Sequence, residues 1–167
     1  MRVALVTAPI DAGALLAEVA AAGNGATLLF VGTVRDLNDG RPVTGIEYAA
    51  YAAMAERELA AIAGEAAARF GTEDIGVVHR TGRLGVGEAS VAIAVAHARR
   101  AQCYEASRYV IEELKKRVPI WKREEYVDGT REWVDPTRHP AAAERRSEEE
   151  ATVRGAGAAM PAGGASG

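Results

Sequence analysis

The chain has 167 residues, 49% of them hydrophobic but only 5% aromatic, and a formal net charge of −3. That length supports a single core built mostly from Ala, Val, Leu and Ile, and the acidic balance argues against general nucleic-acid binding. The one cysteine, Cys103, excludes an intrachain disulfide and a cysteine-rich zinc site, and fits a reducing compartment.

Arg2 to Thr7 is expected as a short strand, and Pro9 to Asp11 as a turn that supplies a helix cap. Pro9 and Asp11 also interrupt the apolar start before a signal-peptide core could form. No segment has the apolar length of a membrane span, so a soluble, cytoplasmic protein is expected. Ala12 to Ala22 is a small alanine-rich helix ended by Gly23-Asn24-Gly25. Ala26 to Val34 is a β-type run whose apolar content places it centrally in a sheet. A polar loop from Arg35 to Pro42, containing Asn38-Asp39-Gly40, leads to a strand over Val43 to Tyr51.

Met54 to Phe70 is the first long helix, with Met54, Leu59, Ile62 and Ala66 on its apolar face. Asp74 to Arg80 and Ser90 to Ala96 are two further strands, joined through a turn punctuated by Gly82, Gly85 and Gly87. Arg99 to Val118 is the second long helix, burying Cys103, Ala106, Val110 and Leu114, and Pro119 stops it. Short strands follow over Trp121 to Val127 and Glu132 to Val134. The absence of a regular βαβ rhythm favours an α+β domain with a largely antiparallel sheet. The foldable domain is expected over 1–139. From 140 to 167 the chain is rich in Ala, Gly and Glu and should be disordered.

The glycines of Gly82-Arg83-Leu84-Gly85-Val86-Gly87 lack the spacing and following helix of a phosphate loop. His79, His97 and His139 have no metal-site spacing, and no metal or resident cofactor is expected. His79 is read as a structural hydrogen-bonding group and Cys103 as an inert core thiol.

The basic residues say more. All three lysines lie between Lys115 and Lys122, while the other 17 cations are arginines. Arginine stays protonated, whereas a lysine amine can exchange a proton or attack a carbonyl. A basic last helical turn would need cations but not lysine. Arg35 ends an apolar strand, where a site residue would sit at the sheet's rim. Arg99 and Arg100 open the second long helix, where the dipole prefers anions, so a bound phosphate or carboxylate would offset their cost. Together these suggest a pocket for an anionic substrate, with lysine providing acid–base chemistry.

Several segments resemble the large, catalytic subunit family of molybdopterin synthase. They are Phe30-Val31-Gly32-Thr33-Val34-Arg35; Glu47-Tyr48 through Tyr51-Ala52-Ala53-Met54-Ala55; and His79-Arg80-Thr81-Gly82-Arg83-Leu84-Gly85-Val86-Gly87-Glu88. Tyr104-Glu105-Ala106 and Leu114-Lys115 through Pro119-Ile120-Trp121-Lys122-Arg123-Glu124 complete the set, in family order. The resemblance implies an α/β hammerhead-type fold and a homodimer carrying a small ubiquitin-like sulfur-carrier subunit at each end, a heterotetramer. The carrier's thiocarboxylated Gly-Gly tail would deliver sulfur to precursor Z, a cyclic pyranopterin monophosphate, giving the dithiolene of molybdopterin.

By the same resemblance Lys115 and Lys122 are the catalytic lysines and Arg35 a substrate-pocket arginine. Thr33, Val34, Arg123 and Glu124 fall at adjoining binding positions. Lys115 is given the acid–base role and Lys122 charge stabilisation. The family usually carries His-Arg at the start of the second long helix, where this chain has Arg99-Arg100, with a histidine displaced to His97. Either Arg99 takes over anion binding or His97 swings in from the preceding strand. A non-catalytic module that docks a ubiquitin-like tail is the rival reading.

Overall fold

The computed structural model describes residues 1–134; the expected tail over 140–167 lies outside the described residues. Two sheets and three helices make an α+β fold. The first sheet has the order β1-β5-β7-β2, from β1 (Arg2–Val6), β5 (Ile75–Arg80), β7 (Ala89–His97) and β2 (Ala26–Thr33). Only β1 and β5 run parallel; the other pairs are antiparallel.

Alternation along β7 decides what covers each face. Val91, Ile93 and Val95 point to one side, where α2 (Ala52–Phe70) and α3 (Arg100–Arg117) lay down Leu59, Ile62, Val110 and Leu114. Ala92, Ala94 and Ala96 point to the other, against Leu15 and Val19 of α1 (Ala12–Val19). The alanine face lets the short helix come close. A Cβ at Gly76 would lie 2.6 Å from Leu15 Cδ1, so a larger residue there would have to push the Leu15 side chain aside.

The second sheet is built on β4 (Arg41–Ala50), which pairs antiparallel with β3 (Leu37–Asn38), β6 (Gly82–Gly85) and β8 (Ile120–Tyr126). The strand β9 (Arg131–Val134) adds to the outer side of β8. The β3–β4 hairpin turns on Asp39 and Gly40, both at positive φ, as an Asp-Gly hairpin turn requires. Val118, held extended by Pro119, ends α3 and sends the chain directly into β8.

Four expectations are corrected. The apolar run β2 is an edge strand, not a central one, because only β7 pairs with it. Met54 is 54% exposed; the buried face of α2 starts from Ala55 and continues through Leu59, Ile62 and Ala66. The glycine-rich connection contains a strand, β6, since Gly45 admits it: a Cβ there would meet the Leu84 carbonyl at 2.7 Å. Helix α1 stops at Val19 rather than Ala22. The other helices agree closely with the periodicity, including the buried Cys103, Ala106, Val110 and Leu114 on α3. Asp11 caps α1, its carboxylate accepting from the Ala14 amide at 2.9 Å.

His79 is buried on β5, its Nδ1 2.9 Å from the Arg80 carbonyl and its ring edge-on to Tyr48. Burial pushes its imidazole down to about 4, against the raising effect of that carbonyl. The unfolded chain takes up this proton near 6.5, so the stability is present above that pH and lost as pH falls towards 4. The melting temperature should therefore drop between pH 7 and pH 4.5, and a His79→Gln variant should show a flatter profile over that window. Parallel profiles would contradict the assignment.

Candidate functional site

On β8, Lys122, Glu124 and Tyr126 alternate and so share one face of the strand. Glu124 is only 1% exposed, and a buried carboxylate is costly unless it is bonded. It receives Lys122 Nζ at 2.9 Å on one oxygen. On the other it accepts from the Tyr126 hydroxyl at 2.8 Å and Asn38 Nδ2 at 2.9 Å. The Asn38 carbonyl oxygen accepts in turn from the Arg35 guanidinium at 3.2 Å. One connected network thus runs from Lys122 through Glu124 and Asn38 to Arg35.

The electrostatics follow from this geometry. Burial pushes the Glu124 carboxyl up, but the bonds from Lys122, Tyr126 and Asn38 together hold it below its ordinary value. The Tyr126 hydroxyl is pushed up to about 12, first by burial and then by donating to that carboxylate. Glu124 is therefore an anion that fixes the position of the half-exposed Lys122 cation. Arg35 is exposed, with its guanidinium tethered through Asn38.

Lys115 lies in the last turn of α3, exposed, with no hydrogen bond or ion pair among the described residues. Lys116 is a solvated helix charge paired with Glu113. Lys115 and Lys122 thus flank the junction between α3 and β8. Thr33 is exposed at the end of β2. Val34 is 2% exposed and packs with Val43, Ile46, Leu84 and Tyr126. Its amide donates to the Glu88 carbonyl, so Val34 is a packing residue beneath the rim.

Other expected site residues lie elsewhere. Arg123 is on the opposite face of β8 from Lys122, in a cross-strand row with Glu47 and Trp133. It pairs with Glu47 and lies over the Trp133 ring. His97, Arg99 and Arg100 are at the far end of α3 from Lys115, and 18 helical residues span about 27 Å. The His97 Nδ1 accepts the Arg99 amide at 2.9 Å, beside the start of α3. Asn38 and Tyr126 are the members that sequence reasoning missed. Tyr126 was findable, since it continues the alternation from Lys122 and Glu124; Asn38 enters only through the turn geometry of its hairpin.

Replacing Glu124 by Ala would leave Lys122, Tyr126 and Asn38 facing an empty site. Removing one partner from a buried ion pair costs about 3–5 kcal/mol, and partial exposure of Lys122 puts the expectation at the low end, about 3 kcal/mol. Urea unfolding should register that loss. A variant within 0.5 kcal/mol of the parent, a threshold set at about the noise of surface substitutions, would contradict the network.

Over residues 5–117 the sequence matches the family described as MoaE protein. A protein of Emericella nidulans named molybdopterin synthase catalytic subunit is 42% identical over 118 residues, covering 71% of this chain and 60% of that one. A protein of the same name from Halalkalibacterium halodurans is 40% identical over 153 residues, 89% of this chain and 97% of that one. The crystal structure of molybdopterin synthase from Staphylococcus aureus matches with a TM-score of 0.76 at 33% identity, covering 81% of this chain and 98% of that one. The chain thus spans 60% of the length of the fungal relative and nearly all of the bacterial ones. The family match takes in well over half of the sequence, and the chain belongs to the MoaE family.

Proposed function

We propose that this chain is the catalytic subunit of a molybdopterin synthase. It transfers sulfur from the thiocarboxylated C-terminus of a small ubiquitin-like carrier to precursor Z, forming the molybdopterin dithiolene. The names of its relatives support this reading, and "catalytic subunit" implies a further subunit, the carrier. The observation that carries it in this chain is the fixed pair of cations, Lys122 and Arg35, joined through Glu124 and Asn38.

Each residue has a role set by its surroundings. The ion-paired Lys122 is a positioned positive charge, suited to stabilising an oxyanion on the carrier's acyl carbon. Lys115 has no carboxylate partner among the described residues, which suits the residue that gives a proton to the leaving oxygen as sulfur adds. Arg35, exposed and forked, holds the substrate phosphate, with Thr33 beside it. Val34 acts by packing beneath them. Arg123 and Glu47 belong to the opposite sheet face, which a docked carrier could cover. A reactive thiocarboxylate, together with one free cysteine, is consistent with the cytoplasm. Among the described residues no helix is long and apolar enough to cross a membrane.

The distance along α3 bears on the assembly. One protomer holds Arg100 about 22 Å along the helix from Lys115, with Arg99 and His97 just before the helix start. For these three to reach the same substrate, a second copy must supply them, so the enzyme works as a homodimer within a heterotetramer.

With purified thiocarboxylated carrier and precursor Z, Lys115→Ala and Lys122→Ala should lower dithiolene formation at least 100-fold, while Lys116→Ala should leave it unchanged. Arg35→Ala should act mainly on KM. A parent protein that binds the carrier but forms no dithiolene would instead establish the non-catalytic docking module.

A further inference from the structure

Tyr48 stands directly opposite Lys122 in the β4–β8 ladder, and residues so paired present their side chains on one face of the sheet. Its ring therefore enters from the same side as Lys122 and Glu124. There it packs against the core of the first sheet with α2 and α3, and also against Val34, Val43, Ile46, Leu84 and Tyr126. The buried His79 ring meets it edge-on, with centroids 5.3 Å apart. Phenylalanine would fill this junction between the two sheets equally well, so the hydroxyl needs its own explanation.

Ser90 supplies one. Burial pushes the Tyr48 phenol up, a hydrogen bond with Ser90 pulls it back, and the Glu124 anion raises it further. Ser90 is 6% exposed and gives its own proton to the Gly32 carbonyl at 3.1 Å. Its oxygen is thus left to accept from the Tyr48 hydroxyl. Ser90 is also where the β2–β7 ladder slips: Gly32 pairs with Val91 and Thr33 with Ala89, leaving Ser90 without an opposite residue. Bulges of this kind re-aim a side chain. Here the serine hydroxyl is turned onto the peptide unit between Gly32 and Thr33. That unit is planar, so fixing the Gly32 carbonyl also fixes the Thr33 amide. Val34 beyond it is held separately, its amide donating to the Glu88 carbonyl and its carbonyl accepting from the Gly87 amide.

We propose that Tyr48 is a positioning residue: acting through Ser90 and the Gly32 carbonyl, it holds the Thr33–Arg35 rim in register with Lys122. The inference rests on the reading above, in which Arg35 and Thr33 hold the substrate phosphate. Two ties then join the same cations. Glu124 and Asn38 reach the Arg35 side chain within the second sheet, whereas Tyr48 and Ser90 cross to the first sheet and fix the backbone that carries it.

The test combines steady-state kinetics with amide spectra of the full chain, on Tyr48→Phe, Ser90→Ala and the double variant, each folded by circular dichroism. Loss of one hydrogen bond should raise the KM for precursor Z about 3–10-fold and leave kcat within about 2-fold. Because Tyr48 acts through Ser90, the double variant should be no worse than Ser90→Ala alone. Without substrate, both single variants should shift the Thr33 amide in proton–nitrogen correlation spectra. A purely space-filling Tyr48 would move neither KM nor that amide, and either result in both single variants overturns the inference. Effects that multiply in the double variant overturn it as well. A parent chain that forms no dithiolene, but whose Thr33 amide shifts in both variants, would keep this tie and remove the enzymatic reading. Full turnover with an unmoved amide and unchanged KM would do the reverse.

Discussion

The buried carboxylate of Glu124 is the constraint around which the candidate site is organised. An unpaired anion at that depth would be strongly unfavourable, so its neighbours must present donors. Lys122, Tyr126 and Asn38 meet that need, and each is thereby oriented. Two come from the same strand by simple alternation. The third comes from the β3–β4 hairpin, whose Asp39-Gly40 turn at positive φ aims Asn38 inward. Arg35 is then placed by the far side of the Asn38 amide. A single desolvated charge therefore links a turn conformation, a strand face and two surface cations.

The larger frame sets which residues can share that site. Helix α3 is pinned along its length to the first sheet by Ala106, Val110 and Leu114, and to α2 by Arg117 with Glu58 and Glu65. Arg117 and Tyr109 hold the Glu65 carboxyl at about 2. A helix so fixed cannot bend its two ends together. Lys115 accordingly belongs with the α3–β8 junction, and Arg99 and Arg100 with the opposite end of the sheet.

Periodicity made most of this architecture legible. The helices, seven of the strands and the stop at Pro119 follow from apolar spacing and turn residues, since these act over a few neighbouring positions. What remained hidden depends on long-range pairing. β6 was not visible because Gly82-Arg83-Leu84-Gly85 has little β propensity by itself and is a strand only because Gly45 lets it approach β4. The edge position of β2 was misjudged because its composition matches an interior strand, and one chain's sequence does not say which strands a sheet lacks. In the site, Lys122, Glu124 and Arg35 could be named from motif and position. Asn38 could not, because its contribution crosses 86 positions of sequence.

The central claim is that Glu124 and Lys122 act as one unit. A double-mutant cycle with Glu124→Gln and Lys122→Met, read from equilibrium unfolding, measures this directly. The account predicts a coupling of about 1–3 kcal/mol, as for contacting residues in a shared network. A coupling within about 0.3 kcal/mol of zero, as for independent sites, would contradict it.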